Sequence, residues 1–348
     1  MDALNALIEQ HPLLEWPVKF CLGVTATTYI LSLVTGNVSQ VDRVWTILPA
    51  IYIAYYALLP LWPPSAPVYF YPYAPDSIQK SISGSFSPRA LLMLVLVLTW
   101  MCRLSYNTWR RGLFSFKEED YRWEVFRRQV PLWLFQVFNL TFIAIAQNIL
   151  LLLLGTPAMM AVSQPHTRLT TPDYILAFLG FTTLFVEFVA DNQQYSFQTF
   201  KRSGVLVKND WFGARIPWTK RDVERGFATR GLWAWSRHPN FLCEQLFWII
   251  INLLPLLSPD APSASTGAVV RLAPCLLLCS LFFASTKFTE SISLSKYPIA
   301  YAAYQQRVGM FDPLQTPIRG AWLKMQGTKA EVDELVYGQG TGKAKKVE

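Results

Sequence analysis

Seven stretches of this chain are apolar for about 18 residues or more, long enough to cross a lipid bilayer as helices. They fall near 18–36, 44–62, 88–105, 131–155, 173–197, 241–258 and 267–286. A hydrocarbon core offers backbone amides no partner, so a chain built from such runs must satisfy them internally as helices. The expected fold is all-α and polytopic, with about seven transmembrane helices. Only 16% of the 348 residues are charged, where about a quarter is usual for soluble domains. Thirteen Trp suit a protein with two lipid interfaces.

All but five of the 31 Lys and Arg fall on one side if the N-terminus is lumenal. The exceptions are Lys19, Lys80, Arg89, Arg168 and Arg271. The positive-inside rule then places the 103–130 and 199–240 connections and the C-terminus in the cytosol. Residues 1–17 read as a lumenal segment, 18–315 as the membrane domain and 316–348 as a cytosolic tail, polar and poorly ordered from 326. Met1–Gln10 has neither the basic start nor the apolar run of a cleavable signal. Lys345 and Lys346 in the final KKVE resemble the dilysine retrieval signal of endoplasmic-reticulum membrane proteins, which implies residence in that membrane. The basic residues track the membrane sides, so no nucleic-acid partner is expected. Five scattered Cys and three distant His point to no disulfide framework and no metal site.

Ionisable groups inside apolar helices are costly and mark function by default. Glu187, Asp191, Gln194 and Gln198, spaced four, three and four, share one face of the fifth run. Asn240, Glu244, Trp248 and Asn252 are each four apart in the sixth. Pro239 suits a first helical turn, which puts Arg237 and His238 at a helix N-terminus, where backbone amides favour an anion such as phosphate. A third stripe, Glu290, Ser293, Tyr297, Tyr301 and Tyr304, follows the last run and meets a break at Pro298. The 100–128 connection is dense in Arg; Arg103, Arg110, Arg111 and Arg122 have the fork geometry for phosphates.

RHPNFLCE (237–244), with RGFATRGLWAWS upstream and KYPIAYAAYQQRVGMFDP downstream, resembles the C-terminal domain of the steroid 5-alpha-reductase superfamily. The 100–123 block and DNQQYSFQ extend the likeness to roughly residues 20–315, most closely to an uncharacterised multi-span branch. The resemblance implies a cytosol-open seven-helix bundle that holds NADPH and reduces a carbon–carbon double bond conjugated to a ketone. It places Arg103, Arg111, Asp191, Arg237, His238, Asn240, Glu244, Trp248 and Tyr301 on the cofactor. It makes Glu244, Asp42 and Tyr297 the catalytic candidates. The sequence departs from the reductases at Trp100, where they carry a Tyr one turn before the Arg. It departs again at Asp42, the acid nearest to their second-span Glu. Isoprenylcysteine carboxyl methyltransferases share the RHPN motif. An S-adenosylmethionine-dependent methyltransferase and a non-enzymatic lipid-binding protein therefore stay open beside a reductase of a lipophilic substrate.

Overall fold

The structure, a computed structural model, describes residues 8–68, 70–74, 85–206, 211–261 and 267–338, together with Ala6 and Ile78. Among these there are helices and no strands, and six helical segments are long and apolar enough to cross a membrane. The chain divides into two compact units, 1–181 with 248–278 and 182–247 with 279–348.

In the first unit, α1 (Glu15–Thr35) is the threonine-rich first run. Its Thr28 and Ser32 are buried. Thr28 Oγ1 accepts from Asn148 Nδ2 at 3.2 Å and Ser32 Oγ from Asn139 Nδ2 at 2.9 Å. Each hydroxyl also donates to a carbonyl of its own helix. The polar residues that interrupt this run therefore join two helices, as small hydroxyls commonly do inside membranes.

The second run is not one helix. It breaks into α2 (Gln40–Trp45), α3 (Leu48–Ala57) and a short 3₁₀ turn at Leu59–Leu61. At ten residues α3 is too short to span by itself. Its Tyr52, Ile53, Tyr55, Tyr56 and Ala57 are almost wholly buried, so the run is apolar because protein surrounds it. The segment still crosses the unit. Asn37 and Arg43 bond to carbonyls of Ser115, Phe116 and Glu118 near the C-terminal end of α1. Tyr55 stacks on Trp16 at the other end. Residues 40–57 at 1.5 Å each cover about 27 Å, close to the ~30 Å hydrocarbon core.

Next come α4 (Pro88–Arg110) and α5 (Tyr121–Gln129). The fourth run extends over Leu132–Val162. It comprises α6 (Leu132–Phe138), a π-helical stretch (Asn139–Ala146), α7 (Gln147–Leu153) and α8 (Thr156–Val162). The 100–128 region, read as a connection, is largely helical. At the N-terminal end of α4, Arg89 is 2% exposed and grips both carboxylate oxygens of Asp173 of α9 (Thr171–Ser203) through Nε and Nη2, at 2.8 and 3.0 Å.

The second unit takes the C-terminal half of α9, then α10 (Lys220–Arg225), and the first half of α11 (Pro239–Leu256). It continues with the end of α12 (Gly267–Lys296), α13 (Pro298–Arg307), α14 (Gln315–Met325) and α15 (Lys329–Tyr337). Helix α15 corrects the expectation of a poorly ordered tail. Val332 and Val336 are buried with Tyr301, Tyr304, Val308 and Leu323, and Arg225 donates to the carbonyls of Leu335 and Gly338. An apolar face at spacing four in a polar segment pays for its own ordering. Lys345 and Lys346 lie outside the described residues.

Candidate functional site

The residues around Arg237 form a built core in the second unit. Ser236 pairs with Gly309 in a short parallel bridge. The amides of Arg237 and His238 donate to the carbonyls of Gly309 and Met310 at 2.9 and 3.1 Å. This main-chain clasp fixes the entry to α11 just before Pro239.

The side chains then turn inward. Arg237 Nε and Nη2 meet the two oxygens of Glu290 at 2.7 and 3.1 Å. Its Nη1 donates to Gln305 O at 3.2 Å and, in a short contact, to Val308 O. His238 Nε2 is 2.9 Å from Glu290 Oε1, and Gln305 Nε2 donates to Glu290 Oε2 at 2.9 Å. Arg237 and Glu290 are about 5% exposed. Burial pushes the His238 imidazole below its usual range, offset in part by the Glu290 carboxylate. A neutral ring that donates Nε2–H to Glu290 satisfies this geometry.

This arrangement corrects the expected role of Arg237. Four of its five N–H donors are already committed to protein acceptors, and its guanidinium faces Glu290. It holds the site together and does not offer a free fork to phosphate. Glu290 stands in the third polar stripe of the sequence, whose spacing assigns it no role. Its partners lie 52 and 53 residues back in the chain, a pairing no local spacing reveals.

Beside this core the polar faces of α9 and α11 are arranged as the spacing predicts. Asn240 Nδ2 donates to Asp191 Oδ1 at 3.1 Å. Glu187, Asp191 and Glu244 are 3–5% exposed. Asn240 Oδ1 and Gln194 Oε1 are buried and meet no donor among the described residues. The adjacent face of α9 is structural: Gln193 donates to Gly213 O and accepts from the Leu232 amide. Gly231 sits at φ +65°, and a Cβ there would come within 2.5 Å of Gln193 Oε1.

The tyrosines separate. Tyr297 accepts from Lys201 Nζ at 3.1 Å, and Lys201 also donates to Gly226 O at 2.9 Å. A Lys–Tyr pair of this kind leaves the phenol O–H free to donate elsewhere. Tyr301 is buried and held by burial well above the usual phenol range. Tyr304 donates to Trp233 O at 2.6 Å.

Four expected site residues belong to the first unit. Trp248 and Trp100 are both fully buried and meet edge to face, centroids 5.1 Å apart. The residue that replaces the expected Tyr is thus a packing partner for Trp248. Arg103 is buried one turn beyond Trp100, whereas Arg111 is exposed just after α4. Arg122 lies against Asp120 at 2.8 Å, and Arg110 against Asn107. Neither presents an empty fork. Asp42 Oδ2 accepts from Trp123 Nε1 at 3.0 Å.

Among the described residues no group of His, Cys, Asp and Glu has the geometry to hold a metal ion. The family described as "Protein of unknown function (DUF1295)" matches residues 28–308. A fission yeast protein, "Uncharacterized protein C594.04c" of Schizosaccharomyces pombe, is 32% identical over 284 residues, 81% of this chain and 74% of that one. No solved structure matches. The match takes in the α9 stripe, Arg237, His238, Glu290 and Tyr304, and on that extent the chain belongs to the DUF1295 family.

Proposed function

We propose that the protein is an NADPH-dependent membrane reductase acting on the double bond of a lipophilic unsaturated ketone or related lipid, in the endoplasmic-reticulum membrane with its C-terminus cytosolic. One observation carries the reading: buried acceptor oxygens along α9 and α11, two of which, Asn240 Oδ1 and Gln194 Oε1, meet no donor among the described residues. Leaving a buried acceptor unmet costs about 1–3 kcal/mol, so a ligand that brings N–H and O–H donors is the natural complement. The carboxamide and ribose hydroxyls of a nicotinamide dinucleotide are such donors. Asp191, Gln194, Asn240 and Glu244 are the residues of this unit that would receive them. NADPH, when bound, supplies hydride. Arg237 and His238 then act indirectly, by fixing the start of α11 through Glu290, and the Lys201-backed Tyr297 offers a proton.

Buried carboxylates also suit a sulfonium cation, which keeps an S-adenosylmethionine-dependent methyltransferase as the second reading. Thermal unfolding in detergent with NADPH, NADH and S-adenosylmethionine separates the two. A ligand at a hundred times its Kd adds about 2.7 kcal/mol. A rise with NADPH well beyond NADH, lost in Gln194→Leu, is the expected result. A rise with S-adenosylmethionine alone replaces the reductase by the methyltransferase. No rise with any of the three leaves a non-enzymatic lipid-binding protein.

A further inference from the structure

At the N-terminal end of α1, in the first unit and apart from every residue discussed above as a cofactor contact, lies a cavity of about 580 Å³. Its polar wall is a closed triangle. Lys19 Nζ is 2.8 Å from Glu15 Oε1 and donates to Tyr73 OH at 2.8 Å, and Tyr73 OH donates back to Glu15 at 2.9 Å. The triangle contains one anion and one cation, with Lys19 half exposed. Its other walls are aromatic: Phe20 and Phe70 meet edge to face, and the rings of Phe70 and Tyr71 are 47% and 43% exposed.

Phe70 is held there at a cost. It is the one non-glycine residue with positive φ, +73°, among those described, a strained conformation of the kind that clusters at ligand clamps. Trp16 Nε1 bonds its carbonyl at 3.3 Å. Its ring fills the space left by Gly23, where a Cβ would lie 2.3 Å away. The helix below thus lacks a side chain where the ring needs room.

The cavity lies where a helix long and apolar enough to cross a membrane begins, and a helix that spans the hydrocarbon core starts at the headgroup layer. A neutral pair of opposite charges complements a neutral zwitterion better than a singly charged group. Aromatic faces beside a carboxylate favour a quaternary ammonium. We propose that this cavity binds the headgroup of a choline phospholipid, its phosphate toward Lys19 and its trimethylammonium among Glu15, Phe70 and Tyr71.

Native mass spectrometry of the full chain in detergent, supplied with equal phosphatidylcholine and phosphatidylglycerol of the same acyl chains, tests it. One phosphatidylcholine retained over phosphatidylglycerol by about tenfold, a difference of about 1.4 kcal/mol, is expected. Soluble phosphocholine should displace it. Glu15→Gln and Tyr71→Ala should each abolish the preference. Tyr71 is on the rim, so its variant should unfold at the wild-type temperature and keeps the test valid if Glu15→Gln folds poorly. Equal retention of the two lipids overturns the proposal. So does retention that phosphocholine cannot compete, since acyl chains and not the headgroup would then hold the lipid. An unchanged preference in Tyr71→Ala overturns it as well.

Discussion

Glu290 meets Arg237, His238 and Gln305 at once, and that makes it the residue on which the second unit is most exposed to damage. A buried ion pair costs desolvation on both sides, so its removal as a pair and its breaking by half are different experiments. Glu290→Gln leaves the Arg237 guanidinium buried without a counter-charge. It should lower stability by about 3–5 kcal/mol, read as a fall in the unfolding midpoint. Arg237→Met with Glu290→Leu should recover most of that loss, whereas a phosphate-binding Arg237 would predict that the same pair destroys NADPH binding with the fold intact.

Helices show where the sequence is legible and where it is not. The runs near 88–105, 173–197 and 241–258 appear as α4, α9 and α11 because uninterrupted apolar stretches leave helix as the sole way to satisfy the backbone. The acceptor stripe on α9 was legible for a related reason: four polar residues at helical spacing must share a face. The 44–62 run reads as one helix but folds as several pieces, because hydropathy does not distinguish burial in lipid from burial in protein. Tyr52 and Tyr56 are enclosed by other helices, and Pro49 and Pro60 mark where the helical pieces start. The Arg237–Glu290 clasp was invisible because it joins the start of α11 to the end of α12. At this scale Gly231→Ala tests the packing of α9 on the 231–234 turn. Positive φ and the closeness of Gln193 both oppose a Cβ. A loss of about 1–3 kcal/mol, with Gln193→Ala partly relieving it, is the expected result by thermal unfolding.

Across the whole molecule, basic residues serve two ends that charge counting merges. Arg225, Arg237 and Arg307 contribute to the one-sided distribution of positive charge, yet each is bound to carbonyls or carboxylates of its own unit. The predicted orientation can be checked directly. A glycosylation acceptor fused at the C-terminus should stay unmodified, and one fused at the N-terminus should be modified. Truncation after Thr328 removes Val332 and Val336 from the core and both carbonyl acceptors of Arg225. It should destabilise the second unit while the first retains its protection in hydrogen exchange. The Arg89–Asp173 pair has a different consequence, for assembly in time. These residues are 84 positions apart, with two long apolar segments between them. While the chain is being made, Arg89 enters the bilayer edge before its counter-ion exists. The first helices must therefore wait, with that arginine reaching toward headgroups and water, until α9 is delivered. The first unit can close only after more than half of the protein has been synthesised, and a ribosome stalled before Asp173 would leave an open intermediate marked by one unsatisfied charge.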